Sequence, residues 1–453
     1  MQCLEEWTMK KRLAITAFLA CFVPTMTTQA QTTEDVPPKN IIFLIGDGMG
    51  NSYTSAYRYF KNKSTTQFVN RTAFDGYLVG QQMTYSQDAK ENVTDSASAA
   101  TAMATGVKTY NAAVGVDNNL TKRQTVLEAA KKQGKSTGIV VTSQITHATP
   151  ASYGGHDKSR KNMHAIANDF YDEKINGQHK IDVMLGGGKA QMIRSDRDLT
   201  KEFKKDGYNY VTTKEALAAN TNPQLLGLFA KEGLTKKLDR VTTPDLSVMT
   251  NAALKQLDKN EAGFFLLVEG SQIDWAGHDN DIVSAMGEMT DFEKAFEAAI
   301  NFAKEDGETL VIATADHSTG GFSIAKAGNY NWYPSIIRSV KKTPDYMAKK
   351  IKAGSSASTI MKKYMKFSLT TKEIKSVSDV RKKSVTTIDN AIEKIINTRS
   401  NTGWTTSGHT GDDVNIYAYG PSSSQFSGHL DNTDQAKKIF QLINGTEKTI
   451  IDK

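Results

Sequence analysis

Cysteine is scarce in this chain: two residues, Cys3 and Cys21, among 453. Both lie in a stretch that reads as a removable secretory leader. Lys10, Lys11 and Arg12 precede an apolar run from Leu13 to Pro24, and small and polar residues follow to Ala30. A basic start, a short apolar core and a small residue at the cut are the marks of such a leader. Cleavage is expected after Ala30, with Met9 as the initiating residue, because the residues before it add two acids where positive charge is needed. Phe18-Leu19-Ala20-Cys21 is a poorer, lipobox-like alternative that would anchor the protein through Cys21. A chain cut after Ala30 keeps no cysteine. That excludes a cysteine nucleophile and confines any metal site to His, Asp, Glu and other oxygen donors. An exported chain of this length builds a sufficient core without disulfides.

Long apolar runs are also missing. The leader's run falls short of the roughly 20 residues a membrane-crossing helix needs, so the mature chain is expected to carry no transmembrane segment. No internal repeat and no long low-complexity linker divides it, which predicts one domain over residues 31–453. Charge of one sign is confined to a single block. The formal charge is +7, but residues 325–400 hold 17 Lys and Arg against 5 Asp and Glu, a net +12 that leaves −5 for the rest. A uniformly basic nucleic-acid binder is excluded, and no nucleic-acid motif accompanies the block. We expect 325–400 to be a basic, cap-like insertion over one side of a sheet. Its segments 349–352 and 361–366 read as helical or frayed surface pieces around a polar turn at 354–358.

Elsewhere, short β-branched runs alternate with longer helical stretches. This rhythm predicts an α/β fold with a central, largely parallel sheet flanked by helices on both faces. Strands are expected at 41–45, 138–141, 181–185, 264–268, 310–313 and 414–419, and helices at 124–133, 246–258 and 284–304. Polar residues collect just past the strand ends: Asp47, Thr146 and His147, Glu269, Asp316 and His317. Ligands of open α/β sheets bind outside the carboxyl ends of the strands, so these groups should converge.

Six segments carry candidate chemistry. Asp47 sits between glycines in Ile45-Gly-Asp-Gly-Met-Gly50, where the backbone can turn sharply and present a carboxylate. Thr94-Asp95-Ser96-Ala97 opens an alanine-rich helix, with Asp95 or Ser96 as its cap. A serine there lies beside unpaired N–H groups that favour an alkoxide and an incoming phosphate. Thr146-His147-Ala148-Thr149 is followed by Arg160, whose planar fork can grip two phosphate oxygens at once. Glu269 ends a strand, and Asp274 and His278, four apart, share one face of a helical turn. Asp316 and His317 stand before a Gly pair, and His409 lies in Ser-Gly-His-Thr-Gly. Three histidines with several carboxylates suit two zinc ions and a harder, oxygen-bound third cation. Such a pair clamps both oxygens of an in-line phosphoryl displacement, one ion activating Ser96 and the other stabilising the leaving group. Gly186-Gly187-Gly188-Lys189 lacks the spacing and hydroxyl residue of a Walker loop and reads as a strand-end turn.

Taken together these segments resemble the alkaline phosphatase family, in family order from Asn40 to about Pro421. Asp95-Ser96-Ala97, Val268-Glu269-Gly270, Ala315-Asp316-His317 and Gly408-His409-Thr410-Gly411 carry the similarity. The resemblance implies metal-dependent hydrolysis of phosphate monoesters to an alcohol and inorganic phosphate, through a phosphoserine at Ser96. It implies Asp274, His278 and His409 as ligands of one zinc, and Asp47, Asp316 and His317 as ligands of the second. Asp47, Thr149 and Glu269 would hold a magnesium, and Arg160 the phosphate oxygens. A homodimer, exported to the periplasm or the medium, is likewise implied. Two positions depart from some relatives and flank the site: His147 stands where these carry Asp, and Trp275 where they carry Lys.

Rival readings are a phosphodiesterase or sulfatase on the same scaffold, or a non-catalytic phosphate- or metal-binding protein. Ser96 lacks the Pro and Arg context of a sulfatase nucleophile. A diester has one fewer free oxygen for Arg160 to grip. A mere scavenger has no use for Ser96.

Overall fold

The computed structural model describes residues 37–62 and 69–444, so the leader expected at 1–30 lies outside the described residues. The β-branched runs build a ten-stranded sheet. In chain order its strands are β1 (Asn40–Ile45), β2 (Leu78–Met83), β3 (Ser136–Gln144), β4 (Val183–Gly187) and β5 (Asn209–Val211). Then come β6 (Leu225–Leu228), β7 (Phe264–Glu269), β8 (Thr309–Thr314), β9 (Val414–Tyr419) and β10 (Gly428–Asp431). Their order across the sheet is β10-β2-β9-β8-β1-β7-β3-β4-β6-β5, and only β9 runs against the others. The sheet is mixed and mostly parallel, with helices around it, as the alternating pattern predicts.

β1 explains the two-sided burial. Its residues alternate between faces, so Ile42 and Leu44 join one apolar cluster while Ile41, Phe43 and Ile45 join the other. Each side chain so buried contributes about 1.5–3 kcal/mol. Helices Asn51–Lys61, Leu246–Leu257 and Ile282–Asp306 cover the first face. Helices Ser96–Thr105, Val126–Lys132 and Asn432–Asn444 cover the second.

Four strands escape the sequence pattern. β2 and β10 mix apolar with polar residues and are half-buried or exposed at most positions near one edge, and β5 and β6 have only 3 and 4 residues near the other. Neither kind produces a readable apolar period.

Residues 325–400 are more ordered than frayed surface segments. They form helices Pro334–Ser339, Pro344–Lys352, Ala357–Tyr364, Thr371–Val380 and Val385–Ser400. Each is amphipathic. Ile337, Met347, Met361, Val377 and Ile392 turn inward and join the cluster on the Ile42 face, while the lysines stay largely in solvent. The first and last of these helices pack on Ile282–Asp306, so this unit lies against the helical layer.

Register aligns the strand ends that matter. Ile45 of β1 pairs with Thr314 of β8 on one side and Glu269 of β7 on the other. Asp47, Glu269 and Asp316 therefore emerge within two residues of one line across three adjacent strands.

Candidate active site

The chain leaves β1 through Gly46, and Asp47 follows at the first turn, fully buried. Gly48 has φ +72°, and its amide donates to Asp316 Oδ1 at 3.0 Å. A Cβ there would stand 2.8 Å from the Asp274 Cα, so glycine lets this loop close against the helix that carries Asp274. That helix spans Gln272–His278 and presents Asp274 and His278 on one face, 3.3 Å apart.

Ser96 is the first residue of its helix. Asp95 is the N-cap, accepting from the Ser98 amide at 2.9 Å, which leaves the Ser96 hydroxyl free to face the strand ends. Ser96 Oγ lies 3.2 Å from His317 Nε2 and 3.5 Å from Asp47 Oδ1. The Arg160 guanidinium meets Asp95 Oδ2 at 3.0 Å and His147 Nε2 at 3.2 Å, so it is braced beside the serine turn.

The remaining candidates form three donor sets, two of which overlap. Asp274, His278 and His409 make one, Asp47, Asp316 and His317 a second, and Asp47, His147 and Glu269 a third; within each, donor atoms lie within 4.8 Å of one another. Asp47 is shared by the last two. In the first set the two Nε2 atoms face each other at 3.1 Å, while His278 Nδ1 is 2.6 Å from the Ser407 carbonyl and His409 Nδ1 2.9 Å from that of Thr94.

Electrostatics marks the cluster as built for cations. Burial, with repulsion from Asp316, Asp274 and Glu269, pushes Asp47 well above the ordinary carboxylate range. Burial lifts Glu269 and Asp316 to about 7. For Asp274 burial acts upward too, but the His278 hydrogen bond and the nearby imidazoles win and hold it low. His278 is raised to about 9, first by that hydrogen bond. Burial lowers His317 and His409, and takes His147 to about 3 with help from Arg160. Four carboxylates this deep cannot all ionise without positive charge among them.

The donor atoms fit metal ions on a second count. Asp47 Oδ2, Asp316 Oδ2, Glu269 Oε1, Thr149 Oγ1 and His147 Nδ1 are buried without a hydrogen-bond partner, and all belong to or border these sets. An orphaned buried oxygen costs about 1–3 kcal/mol, and a shared cation removes that cost.

Two features lie beyond the sequence reading. His147, expected only to flank the third set, has a donor atom within ligand reach of Asp47 and Glu269. Thr319 was visible only as part of the Asp-His-Ser-Thr-Gly-Gly run. Its hydroxyl donates to Asp274 Oδ1 at 2.6 Å and accepts from His317 Nδ1 at 3.2 Å, tying the first two sets together. Trp275 packs edge-on to His147, with ring centroids 5.6 Å apart. The Gly186-Gly187-Gly188 run ends β4 and turns at Gly188, φ +106°, as a strand-end turn, and contributes no residue to these sets.

A mostly parallel sheet whose strand ends gather adjoining His and carboxylate sets beside a serine at a helix N-terminus defines a metal-dependent α/β hydrolase. The chain belongs to the alkaline phosphatase family, whose model matches residues 38–444. It is 60% identical over 410 residues to alkaline phosphatase 3 of Bacillus subtilis, covering 89% of both chains. Its fold is similar to the cold-active alkaline phosphatase of a psychrophilic Shewanella, with a TM-score of 0.85, 41% identity, and coverage of 89% of this chain and 99% of that one. It is also similar to a histidine-to-glutamate variant of TAB5 alkaline phosphatase solved with magnesium in its M3 site (TM-score 0.65, 30% identity, coverage 90% and 98%). Phosphate monoesters are the substrates of this family, and the enzyme is a phosphoric monoester hydrolase.

Proposed function

We propose that this enzyme cleaves phosphate monoesters through a phosphoserine at Ser96. The observation that carries the reading is the Ser96 hydroxyl, buried at a helix N-terminus, 3.2 Å from His317 Nε2 and beside the braced Arg160 fork. Arg160, still held by Asp95 on Nη1, would turn its other N–H groups to two nonbridging phosphate oxygens. Ser96 Oγ would attack phosphorus in line, breaking the bond to the ester oxygen on the far side. Water would then cleave the phosphoserine and release inorganic phosphate.

The first two sets, with three histidine nitrogens between them, suit zinc, and the third, with Thr149, Asp47 and Glu269, suits magnesium. Bound there, these ions would supply Lewis-acid stabilisation of the developing charges and ease ionisation of the serine. His147 adds a nitrogen donor and moves the third set toward softer metals. The TAB5 variant with glutamate in place of a histidine holds magnesium in its M3 site.

The same reading takes the protein as exported, periplasmic or secreted, with the leader-like start as its support. Lipid anchoring at Cys21 is the lesser form. It takes 31–453 as one phosphatase domain with 325–400 as a basic cap, and the family supports a homodimer. Among the described residues no helix is long and apolar enough to cross a membrane.

The deciding experiment compares rates on a nitrophenyl phosphate monoester, the corresponding diester and a nitrophenyl sulfate. The monoester should be fastest by orders of magnitude. A faster diester or sulfate, or phosphate binding without turnover, would replace this reading with one of its rivals.

A further inference from the structure

Which side of the phosphate receives the alcohol follows from where Ser96 points. Its hydroxyl touches His317 and Asp47, members of one donor set, so an in-line leaving group lies toward the other set, Asp274, His278 and His409. A cavity of about 480 Å³ opens at that place, lined by His278 and His409 on one wall and by Glu91, Asn92, Val93 and Asn111 on the other. The second wall is fastened by one side chain. Asn111 Nδ2 donates to Glu91 Oε2 at 3.1 Å and to the Val93 carbonyl at 3.0 Å. Its Oδ1 accepts from the Asp95 amide at 3.0 Å and from Ser98 Oγ at 2.9 Å. All four amide capacities are thus used to lock the wall to the serine turn.

The wall carries an acidic side chain without an ion pair. Asp95 is paired with Arg160, whereas the Glu91 carboxylate has the neutral Asn111 amide as its partner and no Lys, Arg or His nitrogen within 4.0 Å among the described residues. We propose that this cavity is the subsite for the alcohol portion of the ester, and that Glu91, held by Asn111, favours alcohols bearing a cation over alcohols bearing a second anion. The inference rests on the monoesterase reading above and deepens it. Amino-alcohol phosphates are the favoured class, and phosphates of hydroxy acids the disfavoured one.

A matched pair of two-carbon esters tests this: 2-aminoethyl phosphate, with an ammonium, and phosphoglycolate, with a carboxylate. In the metal-loaded enzyme, Glu91→Gln should lower the ratio of kcat/KM for the first over the second by about three- to tenfold, the range for one charge across several ångströms of partly wet cavity. Glu91→Lys should lower it further, and high salt should bring the wild-type ratio toward the Gln value. Glu91 is exposed, so neither change threatens folding. Calorimetric binding of the unhydrolysable 2-aminoethylphosphonate and phosphonoacetate should give the same ordering without turnover. If both esters are hydrolysed and the ratio is the same in all three proteins, the subsite is wrong while the phosphatase reading stands. If neither ester is hydrolysed by any of them, the phosphatase reading itself fails.

Discussion

His278 and His409 point their Nε2 atoms at each other across 3.1 Å, and each ring is held from behind by a backbone carbonyl on Nδ1. A carbonyl only accepts, so each Nδ1 carries a proton, and once a cation displaces the Nε2 proton that Asp274 holds on His278, both rings offer it an Nε2 lone pair. Two lone pairs and the Asp274 carboxylate then face one point. Such an arrangement is repulsive by itself and favourable around a shared cation, with the carbonyls fixing the tautomers.

Chelation should therefore unmake more than catalysis. Prolonged treatment with a strong chelator should abolish monoester turnover and lower Tm, and zinc with magnesium should restore both. Elemental analysis before and after checks the stoichiometry. Metal affinity should also fall as the pH drops below about 7, because burial lifts Glu269 and Asp316 to about 7 when no cation is bound and protons then compete for their oxygens.

Ser96→Ala should retain metal and fold while losing about a thousandfold or more of kcat, the scale for removal of a covalent nucleophile. Rapid acid quench with a labelled ester should trap phosphoserine in the wild type and none in the variant. Near-normal turnover in Ser96→Ala would overturn the mechanism.

Arg160→Lys keeps the charge and loses the fork. Phosphate inhibition should weaken and KM rise by about tenfold, with a smaller fall in kcat, because one ammonium cannot grip two oxygens in a plane. Steady-state kinetics with inorganic phosphate as inhibitor separates these effects.

Stability should decline toward the alkaline side because of the helix Val385–Ser400. Burial, then repulsion from Asp281, raises Glu393 to about 10 and Asp389 to about 8, with Lys236 only partly offsetting this. The folded protein keeps these protons after the unfolded chain has released its own. Their contribution is whole below about pH 4, the ordinary carboxylate range, and is lost as pH rises through about 8 and then about 10. Glu393→Gln should hold Tm about 2–5 °C better than the wild type between about pH 7 and about pH 10. Thermal melts of the metal-loaded proteins across that range check it.

The long apolar strands were legible because two-sided burial leaves a continuous β-branched run, as in β1, β7 and β8. The mixed, partly exposed β2 and β10 and the very short β5 and β6 were not, since their pairing depends on neighbours distant in the chain. The spacing of Asp274 and His278 was readable as one turn of helix. The reach of His147 to Asp47 and Glu269, and the bridging hydroxyl of Thr319, were not, because local sequence holds no record of which loops meet. The lysine-rich block was visible as charge, yet its inward stripe of Ile, Met and Val is what makes it an ordered helical unit.

By itself the sequence determined the chemistry on offer: no thiol beyond the leader-like stretch, a serine at a helix start, three histidines and four carboxylates near strand ends. Tertiary structure alone decided that these donors overlap, with Asp47 in two sets, Ser96 turned to His317, and Asn111 locking Glu91 over the far wall. The reason is register. Parallel pairing of β1 with β7 and β8 brings residues more than 200 positions apart to one line, and only that alignment turns separate polar loops into a single charged cavity.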